Sequence, residues 1–352
     1  MVRSGSKLLL PNAVPKVYIL IVNYKYWQET IQCLKSILKL NYDNYQVVVI
    51  DNNSPNNAAR HLRTWCKRHL PYVYYTKEEA ENGGNSSLEN LVVRRAHPLK
   101  RLNTAKQPVI LIQSGANLYY SGGNNLGIRY SFAKNDFEYI WILNNDTVVD
   151  KDSLRYLVEK AEHFKKENKK IGIIGSKLLY LNRPEIIQTL GGKYNKWLGI
   201  TKHIGLFEKD EGQFDRDNIK MDYVIGASML ISKNFVEEVG LICEDYESYF
   251  EELDWIERAK RKDWTFSYDW RSKVYHKEGG SIGSSALSKQ RSELADFHGF
   301  RSRILFAKRF YPQHILGVYF GFIITAFNRI KRKQFRRLKL IFHAIFNNAS
   351  SI

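Results

Sequence analysis

Short apolar runs alternate with helix-spaced apolar residues through the first 176 residues, and this alternation limits the possible folds more than any other feature. The first run, residues 17–22 (VYILIV), precedes apolar residues at helical spacing from Trp27 to Leu38. Further runs follow at residues 47–50, 72–75, 109–112, 139–143 and 171–175. Strands that alternate with helices predict an α/β fold: a mostly parallel central sheet with right-handed crossovers, flanked by helices.

Polar side chains directly follow three of the predicted strands. They are Asn23 with Tyr24, Asp51 with Asn52, and Asn144 with Asn145 and Asp146. In open sheets of this kind, ligands bind beyond the carboxyl ends of the strands. The sequence therefore predicts a ligand-binding site at that end of the sheet.

Asp146 directly follows a predicted buried strand. Hard divalent cations such as Mg²⁺ use one or two protein carboxylates and take their other ligands from water and phosphate, so a cation site is one interpretation. A turn is the other, because Asn and Asp favour turns in general. His276, just before a glycine turn, is likewise either a ligand of a metal or phosphate or a hydrogen-bonded surface histidine.

Two further segments have both a functional and a structural interpretation. Residues 121–127 (SGGNNLG) precede an apolar helix pattern, where the glycines either let the backbone approach an anion or form an ordinary helix-entry turn. Residues 249–258 carry Glu251, Glu252 and Asp254 near the start of a predicted helix. These acids either stabilise the helix dipole or supply a general base for a hydroxyl group.

Length and cysteine content exclude some classes of protein. The 352 residues suffice for one large or two modest domains, and the three cysteines lack the CxxC spacing of a zinc module. After residue 176 the pattern changes to short strands and turns, and residues 78–107 have the composition of a surface insertion. No segment has the pattern of a signal peptide or the length of a membrane-spanning helix, so we expect a cytoplasmic protein.

The positive charge is concentrated near the C-terminus. Of a net charge of +18, the eleven Lys and Arg residues after Asp296 supply +11 with no Asp or Glu among them, and the rest of the chain carries +7. Residues 297–346 combine these cations with an apolar run and many aromatic residues. This mixture is typical of helices at an anionic membrane surface, but a packed helix pair with solvated cations has it too. Nucleic acid is not expected, because no recognition motif accompanies the charge.

Seven stretches resemble, in order, motifs of the family 2 glycosyltransferases of the GT-A fold, and especially of their bacterial rhamnosyltransferase-like branch. They are IVNY (21–24), DNNS (51–54), NLYYSGGNNLGI (117–128), LNNDT (143–147), GASML (226–230), YFEELD (249–254) and HKEGGS (276–281). The resemblance implies a GT-A catalytic domain over residues 1–287, with a nucleotide-sugar-binding half at 15–176 and an acceptor half, with a small antiparallel sheet, at 177–287. Residues 288–352 then form a basic, amphipathic helical tail.

The resemblance also implies an activity: inverting transfer of a sugar, rhamnose by branch, from a dTDP- or UDP-sugar to a hydroxyl of a lipid-linked or polysaccharide acceptor. The implied donor-binding residues are Asn23, Tyr24, Asp51, Asn52, Gly123, Asn124, Asn144 and Asn145. Asp146 and His276 would hold Mg²⁺ or Mn²⁺ at the diphosphate. Glu252 would be the base, and its neighbours Glu251 and Asp254 would orient it or the acceptor. Such an enzyme is expected at the inner face of the cell membrane, bound peripherally through residues 297–346.

The sequence departs from the family at three places, and two other functions are compatible with it. The family usually has Asp at Glu252, a more acidic metal motif at Asn144 and Asn145, and Gly at Tyr119. A basic binding protein on a degenerate, non-catalytic scaffold is one alternative. A sugar nucleotidyltransferase is the other, although that class carries a glycine-rich loop with Arg and Lys where this chain reads NYKY.

Overall fold

The computed structural model of the protein describes residues 14–83, 108–217, 219–277, 284–285 and 290–347. Its strands are β1 (Val17–Asn23), β2 (Tyr45–Asp51), β3 (Tyr72–Thr76), β4 (Val109–Gln113), β5 (Tyr139–Asn144), β6 (Thr147–Val149), β7 (Ile171–Tyr180), β8 (Arg183–Thr189), β9 (Gly192–Asn195), β10 (Ile200–His203), β11 (Ser228–Ser232), β12 (Thr265–His276), β13 (Ser284–Ser285) and β14 (Gln290–Arg291). Its helices are α1 (Trp27–Ile37), α2 (Ala58–His69), α3 (Lys77–Glu81), α4 (Tyr119–Lys134), α5 (Ser153–Lys166), α6 (Lys233–Val239), α7 (Glu251–Lys260), α8 (Glu293–Phe310), α9 (Ile315–Lys331) and α10 (Phe335–Asn347). Each strand predicted from an apolar run is present.

The central sheet has ten strands in the order β3-β4-β2-β1-β5-β11-β7-β12-β6, with β8 beside β7. The five strands from β3 to β5 run parallel, and β12 runs parallel to β7. β11 is antiparallel to β5 and β7, and β6 is antiparallel to β12. The predicted, mostly parallel sheet is confirmed. The ends of β1, β2, β5 and β12 therefore lie together at what we call the carboxyl end of the sheet.

Apolar side chains cover both faces of the sheet, because successive residues of a strand point to opposite sides. Leu20 and Ile142 belong to one buried cluster, which includes residues of α4, α6 and α7. Ile19 and Trp141 belong to another, with residues of α1, α2 and α5. Burial on both faces explains why these strands are continuous apolar runs rather than alternating ones.

Two segments differ from the sequence-based expectation. The glycine-rich segment is not a turn before a helix but part of α4, which begins at Tyr119. A Cβ on Gly123 would lie 2.8 Å from Val22 Cγ1, so this glycine lets the helix pack closely on β1. The predicted insertion starts as helix α3, capped reciprocally by Thr76 and Glu79. Its residues 84–107 lie outside the described residues.

The C-terminal helices divide into two parts. Phe306 of α8 is buried in the same cluster as Trp255 of α7, and Ser302 Oγ donates to Ser248 O at 2.8 Å. By packing, α8 is therefore part of the main core, although its sequence belongs to the basic tail. α9 and α10 build a smaller cluster against another side of α8. Among the helices that the structure describes, none combines the length and apolarity needed to cross a bilayer.

Candidate active site

The ends of β1 and β2 form a buried polar network. Parallel pairing sets Asn23 opposite Asp51, and Asn23 Nδ2 donates to Asp51 Oδ1 at 2.7 Å. Thr30 Oγ1 donates to Asn23 Oδ1 at 2.8 Å, and Ser54 Oγ donates to Asp51 Oδ1 at 2.7 Å. The strand register thus joins two of the predicted donor-binding residues, and their neighbours fix the orientation of both side chains.

Two buried asparagines next to this network each have an oxygen without a hydrogen bond. Asn52 Nδ2 donates to Tyr119 O at 2.7 Å, and Asn124 Nδ2 donates to Tyr120 O at 2.9 Å. Asn52 Oδ1 and Asn124 Oδ1 accept no hydrogen bond from the described residues, although both atoms are buried. Gly123 directly precedes Asn124 and packs against Asn52, since a Cβ on Gly123 would lie 3.0 Å from Asn52 Nδ2. A buried acceptor without a donor is costly, so both oxygens suit N–H or O–H groups of a ligand.

Asn145 and Tyr24 lie beside the start of α1. Asn145 Nδ2 donates to Tyr26 O and to Thr30 Oγ1, both at 3.2 Å. These bonds tie the loop after β5 to the network at the end of β1. Tyr24 is half-buried, and the Nζ of Lys25 lies 4.9 Å from the centre of its ring.

Asp146 and His276 are in contact at the carboxyl end of the sheet. His276 is the last residue of β12, and pairing with β6 places it opposite Thr147. Its Nε2 lies 3.0 Å from Asp146 Oδ1 and 3.4 Å from Asn144 Nδ2. Its Nδ1 lies 2.8 Å from Gln188 Oε1, which can only accept, so Nδ1 donates and Nε2 is directed toward the carboxylate.

This geometry fits a divalent cation. With the hydrogen on Nδ1, a neutral His276 presents the lone pair of Nε2 to Asp146 Oδ1, and two acceptors in contact need a proton or a cation between them. Their 3.0 Å separation matches neighbouring ligands of an octahedral ion with bonds of about 2.1 Å. The described residues bring no third His, Cys, Asp or Glu into a cluster here. Sites with few protein donors are completed by waters and substrate phosphates.

Two carboxyl groups open helix α7: Glu251 is buried and Glu252 is half-buried. Burial raises the pKa of Glu252 to about 7, although an N–H of Gly226 donates to it and acts in the opposite direction. Burial and then the charge of Glu252 raise the pKa of Glu251 well above its usual range. Tyr249 and Phe250, just before the pair, have left-handed φ angles of 69° and 73°, a strained conformation for residues other than glycine.

Contacts of the residues just before β11 connect this acid pair to the Asp146–His276 pair. The N–H of Gly226 donates to Glu252, and the carbonyl of the next residue, Ala227, accepts from Asn144 N at 3.1 Å. Asn144 is the last residue of β5 and contacts His276. Pairing of β11 with β5 thus brings the two sites to the same end of the sheet.

Asp254 is held apart from this chemistry by ion pairs. Its carboxylate is completely buried and binds Arg258 Nε at 2.7 Å and Arg309 Nη1 at 3.0 Å. Tyr246 OH donates to it at 3.1 Å. Because both of its oxygens are occupied, its contacts favour a structural role that joins α7 to α8 rather than the predicted orienting role.

Replacing Asp254 should therefore destabilise the fold. In Asp254→Ala, two arginine side chains lose their buried partner, and we expect a loss of about 3 kcal/mol in the free energy of unfolding. Urea denaturation measures it. Glu237→Gln, which removes an exposed pair with Lys233 at 4.0 Å, is the control and should cost less than about 0.5 kcal/mol. Equal stability of Asp254→Ala and the wild type would contradict the structural role.

Three residues of the site were not among those predicted from the sequence. Gln188 lies in β8, far from any recognised motif, and only the strand register reveals its bond to His276. Tyr120 OH donates to Gly226 O at 2.6 Å, next to the acid pair. Tyr120 lies within the motif at residues 117–128, so the resemblance could have indicated it as a site residue. Thr30, in the first turn of α1, lies outside every recognised motif, so the sequence does not distinguish it from other helix residues.

Comparison with known proteins assigns the family. Residues 18–91 and 94–240 match the model of glycosyl transferase family 2, and the chain belongs to this family. Hexosyltransferase Agl10 of low-salt glycan biosynthesis, from Haloferax volcanii, is 26% identical over 248 residues, which cover 70% of this chain and 62% of Agl10. The match thus spans less than two thirds of that relative.

Two solved structures share the GT-A fold with this chain. GalNAc-T7 with UDP, GalNAc and Mn²⁺ has a TM-score of 0.53 and 14% identity over 83% of this chain and 48% of its own. Mannosyltransferase PcManGT from Pyrobaculum calidifontis, in complex with GDP-Man and Mn²⁺, has a TM-score of 0.50 and 12% identity over 97% of this chain and 77% of its own. The predicted fold class is thereby confirmed, and the rhamnosyl branch stays a prediction.

Proposed function

We propose that this protein is a metal-dependent glycosyltransferase that moves a sugar from a nucleotide-diphosphate donor to an acceptor hydroxyl, with inversion at the anomeric carbon. One observation carries the proposal: a cation-suited pair, Asp146 with His276, and a carboxyl group of raised pKa, Glu252, lie at the same end of the sheet. Inverting transfer needs charge stabilisation at the departing diphosphate and a base at the attacking hydroxyl. Family membership supports this assignment.

We assign the nucleotide of the donor to the ends of β1 and β2. Asn23 and Asp51 would lie near the base and ribose, because their network closes this part of the site. Asn52 Oδ1 and Asn124 Oδ1 supply acceptors for donor groups of the nucleotide. Gly123 would act mainly by letting α4 approach the strand ends, which positions Asn124.

Glu252 is the proposed base. A base whose pKa lies near the working pH is partly ionised and still accepts a proton readily. The ionised carboxylate takes the proton of the acceptor hydroxyl while that oxygen bonds to the anomeric carbon. The bond from this carbon to the diphosphate breaks, and its electron pair leaves with the diphosphate. Burial and then the charge of Glu252 raise the pKa of Glu251, which disfavours a second negative charge beside the base.

Asp146 and His276 would hold the divalent cation, Mg²⁺ or Mn²⁺. When bound, the cation neutralises charge that develops on the departing diphosphate. Gln188 keeps Nε2 of the imidazole available by accepting the hydrogen of Nδ1. Because imidazole suits Mn²⁺ better than Mg²⁺, the pair favours Mn²⁺.

The rate of transfer should rise with pH through neutrality. Glu252 acts only when ionised, and with a pKa of about 7 its ionised fraction falls about tenfold for each pH unit below that value. Burial raises the pKa values of the neighbouring Tyr120 and Tyr223 above the ordinary tyrosine value of about 10, so neither phenol titrates in this range. We expect kcat/KM to increase up to about pH 7 and then level off. A profile that is flat between about pH 5 and 8 would contradict this role.

Donor binding and hydrolysis across a panel of nucleotide sugars test the proposal as a whole. The panel holds dTDP-, UDP- and GDP-sugars, each with Mn²⁺ or Mg²⁺. We propose dTDP-rhamnose as the donor from the motif resemblance, and a glycan or lipid-linked hydroxyl as the acceptor, on the cytoplasmic side of the membrane. One donor should bind in a metal-dependent way. If no nucleotide sugar binds with either metal, the proposal is wrong and the non-catalytic scaffold is favoured.

A further inference from the structure

Helix α9 presents a continuous apolar stripe to the outside of the protein. Six large apolar side chains recur every three or four residues along it and are between 44% and 79% exposed: Leu316, Phe320, Ile323, Ile324, Phe327 and Ile330. At this spacing they share one side of the helix. A stripe of this size is uncommon on soluble proteins and marks a surface that contacts an apolar partner.

The opposite side of α9 is firmly packed, so the helix is part of the fold. Val318 and Phe322 are buried in a cluster with Phe300 and Ile304 of α8. The guanidinium of Arg303 lies 4.2 Å from the centre of the Phe322 ring. The stripe is therefore not an undocked core surface of α9, because the helix already has its core contacts on the other side.

Exposed cations follow the stripe in sequence. Some of the basic residues after Asp296 are engaged within the protein, as Arg329 and Arg337 bind Asp296 and Arg309 binds Asp254. Five others at the end of α9, in the following turn and in α10 are exposed: Lys331, Arg332, Lys333, Arg336 and Lys339, of which Arg336 lies 3.8 Å from Glu293 in an exposed ion pair. The sequence has no Asp or Glu after Asp296 to offset them.

An aromatic side chain flanks the other end of α9. Trp197, between β9 and β10, is 62% exposed, and its ring centre lies 4.0 Å from that of His314. A Cβ on Gly317 would lie 2.3 Å from Trp197 O, so the β9–β10 turn packs directly on the first turn of α9. Tryptophan is enriched at the level of lipid headgroups, where its apolar ring and its N–H are both accommodated.

We propose that the α9 stripe inserts into the surface of an anionic phospholipid bilayer, with the five exposed cations bound to headgroups. The apolar stripe suits the boundary between lipid headgroups and acyl chains, and the cations suit the negative charge of the headgroups. A second copy of this chain fits less well, because no Asp or Glu follows Asp296 in α9 or α10 of the copy to pair with the cations. This inference rests on α9 and α10 and is independent of the proposed transfer reaction.

Vesicle co-sedimentation of the full chain tests it with two sets of variants. One set replaces Phe320 and Phe327 with Ser, and the other replaces Lys331, Lys333 and Arg336 with Gln. The vesicles are phosphatidylcholine alone or phosphatidylcholine mixed with phosphatidylglycerol. Matched controls are Phe207→Ser, an exposed aromatic near Tyr180, and a triple Gln variant of the exposed Lys67, Arg68 and Lys166 on the other face of the sheet.

The wild type should bind mixed vesicles much more strongly than pure phosphatidylcholine, and added salt should weaken that binding. We expect the double Ser variant to lose about 100-fold in partitioning, and the triple Gln variant about as much on mixed vesicles only. The controls should bind like the wild type, and all variants should melt like it, because the altered side chains are exposed.

Two results would overturn the proposal. One is wild-type binding that is absent, or that neither set of variants changes. The other is a dimer in sedimentation velocity that the double Ser variant dissociates, which would assign the stripe to a contact between copies. Metal-dependent donor binding in the same variants should equal that of the wild type, so a failure here and a failure of the transferase proposal are distinguishable.

Discussion

Glu252→Gln should reduce sugar transfer about 10²- to 10⁴-fold and leave donor binding unchanged. Glutamine keeps the size of the side chain and an oxygen that can accept from the N–H of Gly226, but it cannot take a proton from the acceptor hydroxyl. The measurement is kcat for transfer beside the Kd of the donor in the presence of Mn²⁺. A fall in kcat without a change in Kd separates a base from a residue that only binds donor.

Two further variants sharpen this test. Glu257→Gln changes a carboxylate on the same helix that pairs with Lys260, and its rate should stay close to that of the wild type. Glu252→Asp shortens the side chain by one methylene toward the residue that is usual in the family, and it should retain part of the rate. Full activity in Glu252→Gln would show that Glu252 is not the base and would make Glu251 the next candidate.

Asp146→Ala should abolish metal-dependent donor binding. The variant removes the only carboxylate of the proposed cation pair, and loss of a metal's contact with the diphosphate costs several kcal/mol of charge stabilisation. We expect at least about a 100-fold loss in Mn²⁺ affinity, measured by calorimetry with the metal alone and again with donor. The metal titration reports on the site without requiring turnover.

His276 and Gln188 provide a graded comparison. His276→Ala removes a proposed ligand, whereas Gln188→Ala removes the acceptor that orients the imidazole and should cost about 10- to 100-fold in Mn²⁺ affinity. Thr189→Ala, on the neighbouring residue of β8, is the control and should bind Mn²⁺ normally. If the wild type and Asp146→Ala bind the metal equally, the cation lies elsewhere and this pair is a structural hydrogen bond.

Much of the site was predictable because parallel strands end together. Asn23 and Asp51 follow separate apolar runs, and the sequence alone indicated that both lie at the carboxyl end of the sheet, where the strand register sets them opposite each other. Asp146 was predictable in the same way. His276 needed the resemblance, since its strand follows the first part of the sheet by more than a hundred residues and only the pairing of β12 with β6 brings it to Asp146.

Other features depended on side-chain packing that no local pattern encodes. The sequence suggested three acids as one functional group, but their contacts separate them: Glu251 and Glu252 have raised pKa values, while Asp254 forms ion pairs with two arginines. One of these arginines, Arg309, belongs to the segment that the sequence assigned to a basic helical tail. Whether a cation is paired or exposed depends on which helix folds against which, and this is invisible in composition.

The sequence by itself determined the alternation of strands and helices, the polar ends of the strands and the excess of positive charge, because these depend on residue type and local spacing. The tertiary structure alone decided that Gly123 serves helix packing, that Gln188 orients His276, and that α8 is core while the α9 stripe is exposed. The physical reason is that burial and pairing are properties of contacts between distant segments. A local pattern limits which contacts are possible, and only the assembled sheet and helices select among them.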